Sequence, residues 1–177
     1  DESDGSFLKL NPFIEVVTNI EDDHLDYYKS FDNIVAAFRD FMAKVPDAGV
    51  AVVCYDNPVI RGLLKGYKRP CLTYAVDHLE ADYTLRNLRF NGQATAGDVY
   101  ERGELLGILE LSVPGIHNLS NALAAVAVGR FIGLPFEGIS ESLKTFRGAG
   151  RRFQLRGEVD GIKVIDDYAH HPSEIKA

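Results

Sequence analysis

The stretch Gly49-Val50-Ala51-Val52-Val53-Cys54-Tyr55 is apolar at nearly every position. A strand with one wet face alternates apolar and polar residues. A run without alternation has to be covered on both faces, which is the habit of parallel sheets. The flanking sequence supplies the cover. Phe13 to Ile20 is a second short run rich in β-branched residues. Between the two, Ser30 to Val45 sets Ile34, Val35, Phe38, Phe41, Met42 and Val45 at helical spacing, with Ser30 and Asn33 as capping candidates and Pro46 as the stop. Strand, helix and strand make a β-α-β unit. A short helix over Val59 to Lys65 and a strand over Cys71 to Val76 extend it into a mostly parallel, doubly wound α/β sheet with flanking helices.

Beyond residue 80 the pattern changes. Tyr83 to Phe90, Gln93 to Glu101 and Leu105 to Val113 read as strands joined by Asn91-Gly92 and by Glu101-Arg102-Gly103-Glu104, which predicts a small antiparallel meander. Asn118 to Ile132 is apolar around its whole circumference and closes on Gly133, the pattern of a buried helix. Pro135 to Phe146 forms another helix. Arg147-Gly148-Ala149-Gly150 then breaks the chain, and Phe153 to Val159 with Gly161 to Ile165 predicts a hairpin turning at Asp160-Gly161. The break divides the chain into 1–147 and 148–177.

Lys and Arg number 19 against 26 Asp and Glu, a net charge of −7, and the basic residues are scattered, so nucleic acid and anionic membrane are poor partners. No run approaches the roughly 20 apolar residues of a membrane span. Cys54 and Cys71 fit neither a metal spacing nor a disulfide framework, and read as reduced thiols of a cytoplasmic protein. The opening Asp1-Glu2-Ser3-Asp4-Gly5 is no translation start, and the close at Ile175-Lys176-Ala177 follows directly on a His and Asp cluster. The expectation is a piece of a longer chain.

Four constellations carry polar chemistry. Thr18-Asn19-Ile20-Glu21-Asp22-Asp23-His24-Leu25-Asp26 follows the first parallel strand, where open α/β sheets bind ligands; it is either a metal or phosphate loop or an acidic turn capping the next helix. In His117-Asn118-Leu119-Ser120-Asn121, the amides of Asn118 and Asn121 share a helical face. They suit the edge of a purine, or an N-cap and its neighbour. Gly148-Ala149-Gly150-Arg151-Arg152-Phe153 offers guanidinium groups to a terminal phosphate, or a solvated pair at a domain edge. Asp166-Asp167-Tyr168-Ala169-His170-His171-Pro172 gathers two carboxylates, a phenol and two imidazoles at a strand end, a concentration that favours function.

In this order, and with Asp1-Glu2-Ser3-Asp4-Gly5-Ser6-Phe7 ahead of them, these motifs resemble the Mur ligase family of ATP-dependent amide-forming enzymes in peptidoglycan precursor synthesis. The final heptapeptide is similar to that of the alanine-adding branch. Arg39 stands where some sister ligases carry a carbamylated lysine, in keeping with that branch. The resemblance implies the central ATPase domain without its glycine-rich P-loop, followed by the opening of the C-terminal domain. It also implies a reaction. The γ-phosphate of ATP activates the carboxylate of UDP-N-acetylmuramate as an acyl phosphate, which the amine of L-alanine then attacks.

By the same likeness His24 is a ligand of Mg²⁺, with Mn²⁺ as an alternative. Asn118 and Asn121 face adenine, Arg152 meets the γ-phosphate, Asp167 meets the ribose, and Tyr168 and His170 stand near the reacting centre. The chain by itself is expected to be inactive. The competing readings are another ligase of the superfamily, similar to folylpolyglutamate synthetase, and a non-catalytic nucleotide-binding or scaffold module.

Overall fold

The computed structural model describes residues 2–92, 94–170 and 172–176, the side chain of Ser173 excepted. Six strands form one sheet in sequential order: β1 (Ile14–Val17), β2 (Val50–Cys54), β3 (Cys71–Ala75), β4 (Tyr83–Asn91), β5 (Ala94–Glu101) and β6 (Glu104–Leu111). β1 to β4 run parallel and β4 to β6 antiparallel. The meander therefore continues the parallel sheet, joined to it by Tyr74 opposite Tyr83 and Ala75 opposite Thr84.

The centre of the parallel part is covered on both faces. All five residues of β2 are buried, as its unbroken apolar run requires. α1 (Leu25–Tyr28) and α2 (Phe31–Met42) connect β1 to β2, and α3 (Pro58–Leu64) connects β2 to β3. Ser30 is the N-cap of α2, its Oγ accepting from Asn33 N at 3.3 Å, while Asn33 itself donates to Tyr28 O. The helix ends at Met42, three residues before the sequence pattern does, and Val45 packs from the following turn with no exposed surface.

α4 (Ile116–Phe131) and α5 (Phe136–Lys144) complete the two-sided cover. Leu119, Leu123, Val126 and Ala127 are fully enclosed, so α4 lies between sheet and helix, as a helix without a polar face must. Gly129 permits the approach of α5: a Cβ there would stand 2.6 Å from Ile139 Cδ1.

β7 (Gln154–Val159) and β8 (Ile162–Asp166) form the separate hairpin foreseen at Asp160-Gly161, where both turn residues have positive φ, 50° and 80°. α6 (Pro172–Lys176) follows. Periodicity predicted neither α6 nor α1, each too short to show it. Gln93, the expected start of the second meander strand, lies outside the described residues.

Candidate active site

The acidic loop starts where β1 stops. His24 occupies the left-handed region at φ 56° and ψ 34°, a conformation that costs a residue with a side chain on the order of 1 kcal/mol or more. Asp23 Oδ1 accepts from His24 N at 2.7 Å and its Oδ2 lies 3.6 Å from His24 Nε2, so the strained residue carries its own brace. Among the described residues no three His, Cys, Asp or Glu side chains gather into a cage. An imidazole beside one carboxylate cannot fill the octahedral shell of Mg²⁺. The pair does suit an ion that arrives already held by phosphates and water.

Gly115, at φ 97°, is the N-cap position of α4, and its extended turn brings a would-be Cβ to 2.4 Å from the His117 ring. A side chain there would need both a strained backbone and a displaced imidazole. Asn118 is therefore not the cap. It sits in the first turn, half-buried, with Nδ2 donating 2.6 Å to Pro114 O, and its amide oxygen remains a potential acceptor.

Asn121, one turn on, is exposed and lines a cavity of about 860 Å³ between β1, α4 and α5. Val16, Ala124, Val128 and Ile139 give it apolar walls, and Thr18 brings the end of the β1 strand to the same space. The first and second motifs thus meet at Thr18 and Asn121. An apolar slot whose lining carries the amide of Asn121 and the hydroxyls of Thr18 and Ser142 suits a flat heterocycle.

The third and fourth motifs form one cluster. Asp167 Oδ2 accepts from Phe153 N at 2.8 Å and Oδ1 from Ala169 N at 2.7 Å. These amides, Ala169 foremost, hold the carboxyl below its usual range. Each oxygen keeps a second lone pair for a hydroxyl. Tyr168 N donates to Arg151 O at 2.8 Å, and the Arg151 guanidinium lies 4.6 Å over the Tyr168 ring. The Tyr168 and His170 rings meet edge to face at 5.0 Å, with His170 Nδ1 2.9 Å from Tyr168 O. The two arginines are not one fork: Arg151 stacks on Tyr168, and Arg152 Nη1 donates to Glu174 Oε1 at 3.0 Å. His171 lies outside the described residues.

Comparison with known proteins bears on what this arrangement is. The model of the Mur ligase middle domain matches residues 1–129. The chain belongs to the Mur ligase family. It is 76% identical over 177 residues to the UDP-N-acetylmuramate--L-alanine ligase of Pelotomaculum thermopropionicum and 54% identical to that of Desulforamulus reducens. In each case it is covered completely and spans 38% of the relative's length. The crystal structure of the UDP-N-acetylmuramate-alanine ligase of Thermotoga maritima superposes with a TM-score of 0.84 at 31% identity, over 99% of this chain and 39% of that one.

Two further groups of this Mur ligase segment escaped sequence reasoning. Asp56, just past β2, accepts from Val76 N at 2.7 Å and Asp77 N at 3.1 Å and lies 2.9 Å from His78 Nδ1. It ties together the carboxyl ends of two parallel strands beside a hollow of about 580 Å³ lined by Tyr55, Arg61, Lys65 and His78. The polar residues placed directly after an apolar strand were the available signal. Glu174 is the other. It is 22 residues from Arg152, and nothing in spacing joins them.

Proposed function

We propose that this chain supplies the nucleotide-handling segment of an ATP-dependent ligase that joins L-alanine to UDP-N-acetylmuramate in the cytoplasm. The reading is carried by 76% identity, over every residue of the chain, to a ligase named for that reaction. In the reaction the muramate carboxylate displaces ADP from the γ-phosphoryl group, the amine of L-alanine attacks the resulting acyl phosphate, and phosphate leaves.

Each motif residue has a task in that scheme. The exposed amide of Asn121 and the amide oxygen of Asn118 read the adenine edge, Asp167 takes a ribose hydroxyl, and Arg152 neutralises charge on the γ-phosphate. His24 with Asp23 would hold Mg²⁺ or Mn²⁺ brought by the nucleotide. The ion, when bound, supplies Lewis-acid stabilisation of the phosphoryl oxygens. Tyr168 and His170, fixed edge to face, border the reacting centre. Residues 1–147 form the central unit, and 148–177 the hinge with the first strands of a second one.

The test is phosphate release by the full-length protein containing this sequence. Release requiring ATP, UDP-N-acetylmuramate and L-alanine together supports the reading. Turnover that ignores L-alanine, or nucleotide binding with no turnover, overturns it in favour of a sister ligase or a scaffold module. His24→Ala should lower metal-dependent turnover by 10-fold or more at unchanged thermal stability. The 177-residue chain alone should release no phosphate, because groups that act as a unit do not compensate singly.

A further inference from the structure

Glu174 stands outside every motif that defines the site, yet its carboxylate touches two of them. One oxygen, Oε1, accepts from Arg152 Nη1 at 3.0 Å. The other, Oε2, accepts from His170 N at 3.2 Å and lies 3.7 Å from His170 Nδ1. A single carboxylate therefore fixes the spacing between the guanidinium and the histidine that the sequence separates by 18 residues. Asp167 repeats the device, clamping Phe153 N and Ala169 N, and Arg151 adds a third tie on the Tyr168 ring.

An arginine side chain loses much rotamer freedom when it is held for a ligand. Left on a glycine-flanked loop at φ 60° for Arg151 and φ 48° for Phe153, Arg152 would sample many orientations. The contact to Glu174 uses one edge of the guanidinium while the side chain stays 54% exposed, so further donors of the fork remain for an incoming phosphate.

We propose that Glu174 is a positioning residue: it orients Arg152 for the terminal phosphate of the nucleotide and locks that orientation to His170. The inference rests on the proposed ligase reading, in which Arg152 meets the γ-phosphate. Pre-orientation places the charge before the transition state forms, so its loss appears in kcat more than in substrate binding.

The experiment uses the full-length protein containing this sequence, with ATP and UDP-N-acetylmuramate varied in turn, in four forms: wild type, Glu174→Ala, Arg152→Ala and the double variant. Glu174→Ala should lower kcat by about 10-fold while KM for UDP-N-acetylmuramate changes less than twofold. The double variant should be no more than twofold worse than Arg152→Ala alone, since a positioning residue has nothing left to position. Glu174→Asp, which keeps the charge on a shorter stem, should recover part of the loss, and melting temperatures of all forms report folding separately.

Glu174→Ala with wild-type kcat, or losses that multiply in the double variant, overturns the positioning role while the ligase reading stands. Full activity of Arg152→Ala overturns the role given to Arg152 and the inference with it.

Discussion

Glu15 is the one charged side chain among the described residues that the fold encloses almost completely, at 2% exposure, and neither of its oxygens meets a partner. It lies near Tyr67 and Cys71, whose groups are pushed upward first by their own burial and then, more weakly, by nearby charge that includes Glu15. Burial alone raises its own carboxyl to about 7 from 4.5. The folded protein therefore keeps a proton that the unfolded chain releases near pH 4.5. Below that pH both states hold the proton and the group adds no pH dependence to stability. As pH rises through the window from 4.5 to 7 the folded state loses stability, by roughly 3 kcal/mol once both states are ionised. Glu15→Leu should abolish this slope and raise stability at pH 8, measured by urea unfolding at pH 5 and pH 8. Identical pH dependence in the variant and the parent would contradict the assignment.

At the scale of elements, the loops at the carboxyl end of the parallel strands are held by caps as well as by core packing, Ile20 being buried in the loop after β1. Asn57 Oδ1 accepts from Val59 N at 3.0 Å and Ile60 N at 3.1 Å to start α3, and its Nδ2 donates 3.4 Å to Ile20 O in the loop after β1. One side chain thus begins a helix and steadies the segment that leads to His24. Asn57→Ala should cost about 1 to 2 kcal/mol by chemical denaturation and speed amide exchange in 18–24. The α4 and α5 pair depends instead on close approach. Gly129→Val would drive a branched side chain into Ile139 and should destabilise by about 1 to 3 kcal/mol, read as a lower urea midpoint; a neutral outcome would mean that the two helices separate freely.

For the whole molecule, on the proposed division at 147/148, the glycine-bracketed stretch before Arg152 is where the two units would rotate. Gly148 sits at φ 91°, outside the range of most side chains, and the segment from Arg151 to Phe153 is tied forward to 167–174 rather than back to α5. On that division a rotation would be absorbed at 147–150, with the Arg152 cluster moving as one block with β7 and β8. If Arg152 grips the γ-phosphate, bound ATP draws that block toward the sheet and excludes water from the acyl phosphate. In the full-length protein, small-angle scattering should show compaction on adding ATP, reduced in Arg152→Ala with UDP-N-acetylmuramate binding retained. Full compaction of that variant would sever closure from this residue.

The parallel sheet, its longer flanking helices, the meander and the hairpin at Asp160-Gly161 were legible in the chain, because burial on two faces, helical spacing and turn chemistry are local properties written within ten or so residues. The four motifs were legible for the same reason, each being a contiguous cluster after a strand or a glycine break. What tertiary structure alone decided are the partnerships across distance. The continuation of the meander from β3, the meeting of Thr18 with Asn121, the division of Arg151 from Arg152, and the bridge from Glu174 to Arg152 and His170 all join residues that spacing leaves independent. So does the enclosure of Glu15, whose charge suggests a wet face and whose neighbours leave it none. A sequence records which surfaces must be covered; which side chain covers them is set by the path of the folded chain, and that path brings residues together through space rather than along the backbone.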